Sequence, residues 1–240
     1  MGIILSYYTI KVFINPLDMK HGQDLFDKKY YRRFFKDYSQ NELLMYYRWS
    51  LGWIRFLDSY LPLKSGSGKK VFEIGCSIGA FSKILKERGF EVTATDVSSY
   101  IINKAKKIQE DIDFRVLDIE RESRLRDKYD YIFCFETIEH LKNPVKGLTN
   151  MKNALRKEGV LVISTPFPTK RSLADPTHIN VHEPAFWMNL ANKLKFRKRR
   201  ILFASFIPFL YRLSDLFSWG FPLKTDIPFV NSTTFLIFEK

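Results

Sequence analysis

Short apolar runs alternate with stretches of helical periodicity from residue 71 onward, and this alternation limits the fold more than any other feature. The apolar runs lie at 71–74, 92–95, 114–117, 131–135, 160–164, 200–206 and 233–239. The helical stretches lie at 81–88, 99–110 and 144–155. Alternating strands and helices pack as a parallel sheet with helices on both faces. The sequence therefore predicts an α/β domain with a seven-stranded, mostly parallel sheet in three αβα layers.

The N-terminal part of the chain has a different pattern. Residues 24–61 place aromatic and aliphatic side chains at helical spacing, which predicts two or three amphipathic helices. Residues 64–68 (KSGSG) have the composition of a flexible linker. We therefore predict a helical cap over residues 1–66 and a main domain over 67–240. Met19, which opens a polar segment, is an alternative start of the natural chain.

Composition bounds the class of protein. The chain of 240 residues is 45% hydrophobic and 27% charged, as is usual for a soluble globular protein. Cys76 and Cys134 lie in apolar, strand-like contexts and form no CxxC pair, so we expect a reducing, cytoplasmic compartment. The formal net charge of +13 suits an anionic partner such as nucleic acid or an anionic membrane surface, but it equally suits a solvated basic exterior.

A glycine-containing turn, Glu73-Ile-Gly75-Cys-Ser-Ile-Gly79, follows the first predicted strand. Such turns use glycine where the backbone adopts positive φ or approaches a ligand closely. Asp96 ends the second predicted strand, where a carboxylate accepts hydrogen bonds from both ribose hydroxyls. Alternatively, Asp96 caps the helix that begins near Ser98. The two features together favour a nucleotide-type ligand.

The spacing of the turn indicates which ligand. A dinucleotide fingerprint reads Gly-x-Gly-x-x-Gly, whereas this chain has Ser77 at the middle glycine position. The acid at Glu73 repels a pyrophosphate but attracts a cationic amino-acid tail, directly or through water. These residues favour S-adenosylmethionine over a nicotinamide cofactor.

From residue 71 to about residue 196, the chain resembles the class I S-adenosylmethionine-dependent methyltransferases, particularly the families that include the ubiquinone-biosynthesis O-methyltransferases. The motifs that carry the resemblance are VFEIGCSIGAFSKIL at 71–85, VTATDVS at 92–98, FRVLDIE at 114–120, FCFETIEHL at 133–141 and LRKEGVLVISTPFP at 155–168. The resemblance implies a Rossmann-like sheet whose final strand is antiparallel, and Ser77 is a departure that such families tolerate.

The resemblance also implies roles for individual residues. Gly75 and Gly79 would line the cofactor, and Glu73 would order its methionine end. Asp96 would hold the ribose. The remaining residues expected to bind the cofactor are Val97 and Glu136, together with Asp118 and Ile119 at the adenine.

Two histidines are the candidate catalytic residues. Methyl transfer from a sulfonium is an in-line displacement, so positioning and exclusion of water supply most of the acceleration. A hydroxyl acceptor must also lose its proton, and histidine is the usual base near neutral pH. His140 follows the fourth predicted strand and His178 the fifth. Either ring can instead serve a structural role by hydrogen-bonding to a loop backbone.

Glu136, Glu139 and His140 permit a second interpretation, a divalent metal that acts as a Lewis acid. The arrangement resembles one found in some ubiquinone-pathway enzymes and small-RNA 2′-O-methyltransferases, where a further histidine joins from after the fifth strand. His178 or His182 would supply it here. The same string occurs in many relatives with no known metal, so we expect none.

The residues after the fourth predicted strand narrow the range of possible methyl acceptors. Enzymes that methylate the amino groups of nucleic-acid bases resemble one another at this position, where they carry Asn or Asp followed by Pro-Pro and an aromatic residue. In this chain, residues 135–138 read Phe-Glu-Thr-Ile. Methylation at pyrimidine C5 requires a nucleophilic cysteine there, but Cys134 lies within the strand. We therefore expect O-methylation of a small-molecule, lipid or glycan acceptor. The alternatives are an RNA 2′-O-methyltransferase and a non-catalytic S-adenosylmethionine-binding protein.

Residues 207–231 form an insertion between the last two predicted strands. The stretch 201–211 is strongly apolar, but Pro208 within it and Arg212 and Asp215 after it exclude a simple spanning helix. Three interpretations remain. The insertion is a lid over the acceptor pocket, a segment that rests on a membrane, or a loop packed against the N-terminal helices.

Overall fold

The computed structural model describes residues 25–207, 209–225 and 230–240. The alternative start at Met19 lies outside the described residues, as do residues 1–24 of the expected helical cap.

Eight strands form one sheet. They are β1 (Lys70–Ile74), β2 (Glu91–Asp96), β3 (Asp113–Val116), β4 (Tyr129–Phe135), β5 (Leu155–Thr165), β6 (Lys198–Phe206), β7 (Gly220–Phe221) and β8 (Asn231–Glu239). Their order across the sheet is β3-β2-β1-β4-β5-β8-β6-β7. Strands β1 to β5 are parallel, and β8 runs antiparallel between β5 and β6. The expected Rossmann-like sheet with an antiparallel final strand is confirmed.

The predicted count of seven strands is wrong by one. The additional strand, β7, contains only Gly220 and Phe221 and pairs with the last two residues of β6. Two residues are too few to produce a periodic pattern, so the sequence did not predict this strand within the insertion. The other seven strands overlap the predicted ones.

Helices cover both faces of the sheet. They are α1 (Lys28–Tyr31), α2 (Gln40–Leu57), α3 (Ala80–Glu87), α4 (Ser99–Ile108), α5 (Pro144–Ala154), α6 (Lys170–Ala174) and α7 (Pro184–Lys193). Short 3-10 helices span Ile138–His140, Leu210–Arg212 and Asp215–Phe217. Local chemistry fixes several starts: the Ser98 hydroxyl accepts from the backbone N–H of Ile101 at α4, and Pro144 occupies the first turn of α5. Among the described residues, no helix combines the length and apolar character needed to cross a membrane.

Two apolar cores lie on opposite faces of the sheet, and neighbouring residues of β1 belong to different cores. Val71 packs into the core that includes α2, α3 and α4, whereas Phe72 packs into the core with α5 and α7. Successive side chains of a strand point to opposite faces, so a strand buried on both faces reads as a continuous apolar run. This burial explains why β1 gave such a clear signal.

The described part of the insertion packs against α2. Arg48 forms an ion pair of 2.7 Å with Asp215, and the rings of Trp49 and Tyr211 lie 5.2 Å apart. The Arg55 guanidinium lies 5.2 Å from the centre of the Trp219 ring. The segment is thereby held at the side of the sheet that α2 covers.

Candidate active site

A cavity lies at the carboxyl ends of β1 to β4. Strands β1 and β4 are neighbours although β2 and β3 intervene in the sequence, and ligands of open α/β sheets bind at such a switch point. The cavity is lined by Phe26, Tyr30, Tyr31, Ile74, Gly75, Ser77, Asp96, Val97, Leu117, Asp118, Ile119, Glu120, Glu136, Thr137, His140 and Leu141. Seven of the ten predicted site residues therefore share one cavity, and Glu73, Gly79 and His178 do not line it.

Gly75 forms the tight turn after β1. Its φ is +76°, and a Cβ at this position would lie 2.0 Å from the Thr137 Oγ1. No larger residue fits there without movement of the chain. Ser77 also has positive φ, +52°, and its backbone N–H donates to Asp96 at 3.1 Å. The turn thus brings backbone groups to the edge of the cavity, where a ligand can approach closely.

Gly79 serves packing. It precedes α3 with a φ of +79°, and a Cβ there would lie 2.4 Å from the Phe114 ring. Gly79 lies outside the cavity lining. Glycine is required at position 79 because the start of α3 packs closely on the Phe114 ring of β3.

Glu73 belongs to β1, and its side chain faces α3, outside the cavity lining. Its carboxyl is buried and accepts a short hydrogen bond from the Ser82 hydroxyl. Burial raises the pKa of Glu73 to about 8. The side chain therefore lies behind the glycine turn, where it can act on a ligand only through that turn.

Asp96 ends β2 with a carboxylate that is buried and fully hydrogen-bonded. The backbone N–H groups of Ser77 and Ser98 donate to it at 3.1 Å and 2.9 Å. The Tyr31 hydroxyl lies 3.1 Å from both carboxylate oxygens. Burial raises the pKa of Asp96, and burial together with the carboxylate raises the pKa of Tyr31 well above its usual value.

The opposite wall comes from the segment after β3. Asp118 accepts from the backbone N–H of Glu120 at 2.9 Å, which fixes the turn. Ile119 is buried, and the Asn150 amide of α5 donates to its carbonyl at 2.8 Å. An apolar side chain beside a fixed carboxylate is suited to a purine ring with an exocyclic amine.

Glu136 follows β4 in a left-handed conformation with φ +44°. Its Oε1 accepts from the hydroxyls of Ser164 at 2.8 Å and Thr233 at 3.0 Å. Burial raises the pKa of Glu136, and these two hydroxyls lower it. The carboxyl group is thus held towards β5 and β8 while the residue lines the cavity.

Glu139, His140 and His178 form a cluster whose potential ligand atoms all lie within 4.8 Å of one another. The Nδ1 atoms of the two rings lie 2.8 Å from the carbonyl oxygens of Thr177 and Ser172, respectively. A carbonyl only accepts, so each Nδ1 carries a proton and each Nε2 faces away from that hydrogen bond. Burial lowers the pKa of His140 to about 4, so this ring is neutral at neutral pH.

The Glu139 carboxyl is completely buried, and neither of its oxygens has a hydrogen-bond partner among the described residues. Burial and the neighbouring Glu136 raise the pKa of Glu139 well above its usual value, and the nearby Thr165 hydroxyl, which is too poorly aligned for a full hydrogen bond, lowers it. A buried carboxyl without partners is costly. Two neutral imidazoles and one carboxylate are a donor set that can hold a divalent ion. His182 stays outside this cluster, because it contacts Asn180 and stacks on Phe186.

The N-terminal segment supplies lining residues that the sequence did not predict individually. Phe26, Tyr30 and Tyr31 close one side of the cavity, and the Phe26 ring lies 5.2 Å from that of His140. A cap over the pocket was expected from the helical pattern, but no pattern indicates which side chains point inward.

Comparison with known proteins identifies the family. A sequence profile described as a methyltransferase domain matches residues 45–200, which is more than half of the chain. The chain belongs to this methyltransferase family. The predicted resemblance to class I S-adenosylmethionine-dependent methyltransferases is confirmed, and with it the prediction of S-adenosylmethionine as the cofactor.

Individual relatives of this methyltransferase are distant. A ubiquinone biosynthesis O-methyltransferase from Coxiella burnetii is 30% identical over 116 residues, which are 47% of this chain and 48% of that protein. The chain thus matches about half the length of this curated relative. A crystal structure of an S-adenosylmethionine-dependent methyltransferase from Archaeoglobus fulgidus has a TM-score of 0.61 at 20% identity, covering 89% of this chain and 100% of that one.

A second structure extends the comparison of the fold. Phosphoethanolamine N-methyltransferase 2 from Haemonchus contortus, in complex with S-adenosyl-L-methionine, has a TM-score of 0.64 at 15% identity. The match covers 94% of this chain and 61% of that one. At these identities both structures show a shared fold, while the acceptor has to be argued from the site.

Proposed function

We propose that this methyltransferase transfers the methyl group of S-adenosylmethionine to an oxygen atom of a small-molecule, lipid or glycan acceptor. The observation that carries the proposal is the state of His140. Its ring lines the cavity, its Nδ1 proton is fixed on the Thr177 carbonyl, and its Nε2 lone pair is free. The relative named a ubiquinone biosynthesis O-methyltransferase also supports transfer to oxygen.

The cavity offers a binding surface for each part of the cofactor. Asp96 would accept hydrogen bonds from the ribose hydroxyls, and Val97 would pack beside the ribose. Asp118 and Ile119 would contact the adenine. Gly75 and Glu136, which follow the neighbouring strands β1 and β4, would face the methionine end, where the Glu136 carboxyl favours a positive charge. Glu73 and Gly79 would act indirectly, because they support the turn from outside the cavity.

S-adenosylmethionine, when bound, supplies an electrophilic methyl group. The side chains of the chain would orient the acceptor and remove its proton. Phe26, Tyr30 and Leu141 would exclude water from one side of the cavity. His140 would accept the hydroxyl proton at Nε2, and the Thr177 carbonyl would stabilise the ring as it gains charge.

A second role for the same cluster is favoured by a specific observation. Within the described ranges both buried oxygens of Glu139 lack a hydrogen bond, and both neighbouring imidazoles donate Nδ1–H to a backbone carbonyl. Histidines that ligate metals are usually oriented in this way. The cluster would then hold a divalent ion of the zinc, iron or manganese class, which would polarise the acceptor oxygen.

The placement of positive charge supports a small acceptor over RNA. The densest basic run, residues 193–200, leads into β6. Because β6 runs parallel to β5, this run lies at the edge where the strands begin, opposite to the cavity. Phosphates bound there would not bring a ribose 2′-hydroxyl to His140. RNA binding that weakens steeply with salt, together with methylation of RNA, would instead support the alternative.

The test combines cofactor binding with turnover. Calorimetry with S-adenosylhomocysteine is expected to detect binding to the wild type that is lost in Asp96→Ala. A panel of phenolic, lipid and sugar hydroxyl acceptors with labelled cofactor is then expected to show turnover that falls about 10² to 10⁴-fold in His140→Ala. His182→Ala, outside the cluster, is the control. Cofactor binding without turnover on any acceptor would favour a non-catalytic binding protein.

A further inference from the structure

Large exposed apolar side chains are concentrated in one stretch of the chain. Nine of them lie within 207–223, with exposed fractions from 38% to 75%. Leu213 and Leu216 are the most exposed, at 72% and 75%, and Trp219 is 54% exposed. Monomeric soluble proteins rarely leave an apolar surface of this size in contact with water unless it binds something. We name residues 207 and 209–223 the apolar segment.

The apolar segment lies at the same edge of the sheet as the cavity. It begins directly after Phe206, the last residue of β6, and β6 is parallel to the strands whose carboxyl ends form the cavity. Of the exposed apolar side chains elsewhere, Leu173, Ile179 and Phe186 follow the end of β5. The carboxyl edge of the sheet thus carries exposed apolar side chains as well as the cavity.

The opposite edge is charged. That edge carries ion pairs instead, such as Arg156 with Asp130 and Lys198 with Glu239. The two edges of the molecule therefore differ in polarity, as expected of a protein that presents one end to an apolar medium.

Cations accompany the apolar segment. Arg212 and Lys224 are exposed, and the Lys224 ammonium lies 4.4 Å from the centre of the Phe167 ring. The Asp215 carboxylate is paired with Arg48 at 2.7 Å, and Arg55 donates to the Ser218 carbonyl at 3.1 Å. In the described part of this region, positive charge exceeds negative charge.

We propose that the carboxyl edge of the sheet, through the apolar segment, docks on the surface of an anionic phospholipid bilayer. Leucine, phenylalanine and tryptophan side chains beside Arg and Lys are the combination that binds the interface of anionic membranes. Docking in this orientation turns the cavity towards the lipid and the charged edge towards water. The proposal goes beyond methyl transfer, because vesicle binding requires neither cofactor nor acceptor.

The experiment is co-sedimentation of the full chain with vesicles. We expect binding to an equal mixture of phosphatidylcholine and phosphatidylglycerol, much weaker binding to phosphatidylcholine alone, and weakening by salt. Leu213→Ser with Leu216→Ser is expected to reduce partitioning at least about tenfold, since both side chains are largely exposed and insert. Arg212→Gln with Lys224→Gln is expected to reduce it by about tenfold or more.

The matched control removes the same charge from the opposite edge. Arg126→Gln with Lys157→Gln is expected to change partitioning less than about twofold. The proposal is overturned if the double serine variant binds vesicles like the wild type, or if the control loses as much binding as the Arg212 and Lys224 variant. It is also overturned if ultracentrifugation without lipid shows an oligomer that the serine variant dissociates, because the apolar segment would then join two copies. Calorimetry with S-adenosylhomocysteine reports separately on the cofactor site.

Discussion

The Tyr31 hydroxyl lies 3.1 Å from both carboxylate oxygens of Asp96 and shares its proton between them. These are the oxygens that the ribose hydroxyls of the cofactor would use under the proposed function. Tyr31 belongs to α1, at the side of the cavity that the N-terminal segment closes. The ribose and the Tyr31 hydroxyl therefore compete for one carboxylate.

Tyr31→Phe tests this competition. We expect the variant to bind S-adenosylhomocysteine up to about tenfold more tightly, because a hydrogen bond to a charged group contributes about 1.5 kcal/mol. Calorimetry measures the affinity. Tyr46→Phe is the control, since its hydroxyl donates to the Phe34 carbonyl at 3.3 Å. Weaker binding by Tyr31→Phe alone would mean that the Tyr31 hydroxyl contacts the cofactor rather than displacing it.

Gly75→Ala is expected to destabilise the fold because the new Cβ would overlap the Thr137 Oγ1, 2.0 Å away. We expect the free energy of unfolding to fall by more than about 2 kcal/mol, the sum of steric and backbone costs. Gly89→Ala is the matched control, because Gly89 has a similar φ of +83° but its nearest neighbouring atom would be 4.0 Å away. Urea denaturation measures both variants. Equal losses would show that positive φ alone, rather than crowding, makes Gly75 necessary.

The buried carboxyl of Glu73 makes stability depend on pH. Its pKa of about 8 in the folded chain lies above the ordinary value of 4.5, so the folded state binds the proton more tightly than the unfolded state. Stability from this group is fully present below the unfolded value and declines as pH rises towards 8, by on the order of 1 kcal/mol per pH unit. We expect Glu73→Gln, which cannot ionise, to become progressively more stable than the wild type between pH 5 and pH 8.

Urea denaturation at several pH values measures this difference. Glu91→Gln on the neighbouring strand is the control, because the Glu91 side chain is 62% exposed. A constant difference between Glu73→Gln and the wild type across this range would show that Glu73 stays ionised in the folded chain.

Apart from the two-residue β7, the sheet was predictable because each of its strands carries its own signal. Strand β1 is buried on both faces and therefore apolar at successive positions, and Asp96 marks the end of β2 by its place in the chain. Side chains that face the cavity from a distant segment have no such signal. Tyr31 meets Asp96 across 65 positions, and nothing in the helical spacing of residues 24–61 indicates which aromatic ring points inward.

Packing also decides roles that motifs leave open. Gly79 matched the expected cofactor-lining position, but the start of α3 packs against Phe114 and removes it from the cavity. Either His178 or His182 suited the cluster by sequence. The loop after β5 places His178 in the cluster, because its Nδ1 bonds to the Ser172 carbonyl at 2.8 Å and its ring lies 4.9 Å from that of His140.

Under the second proposed role, Glu139, His140 and His178 hold a divalent metal ion. We expect the purified chain, after dialysis against manganese or zinc and gel filtration, to retain about one ion per chain. His178→Ala is expected to lose the ion, because it removes one of three ligands, while the control His182→Ala retains it. Elemental analysis measures the metal, and S-adenosylhomocysteine binding should persist in both variants because His178 does not line the cavity. Full methyl transfer by chelator-treated, metal-free protein would contradict the metal role and leave His140 as the base.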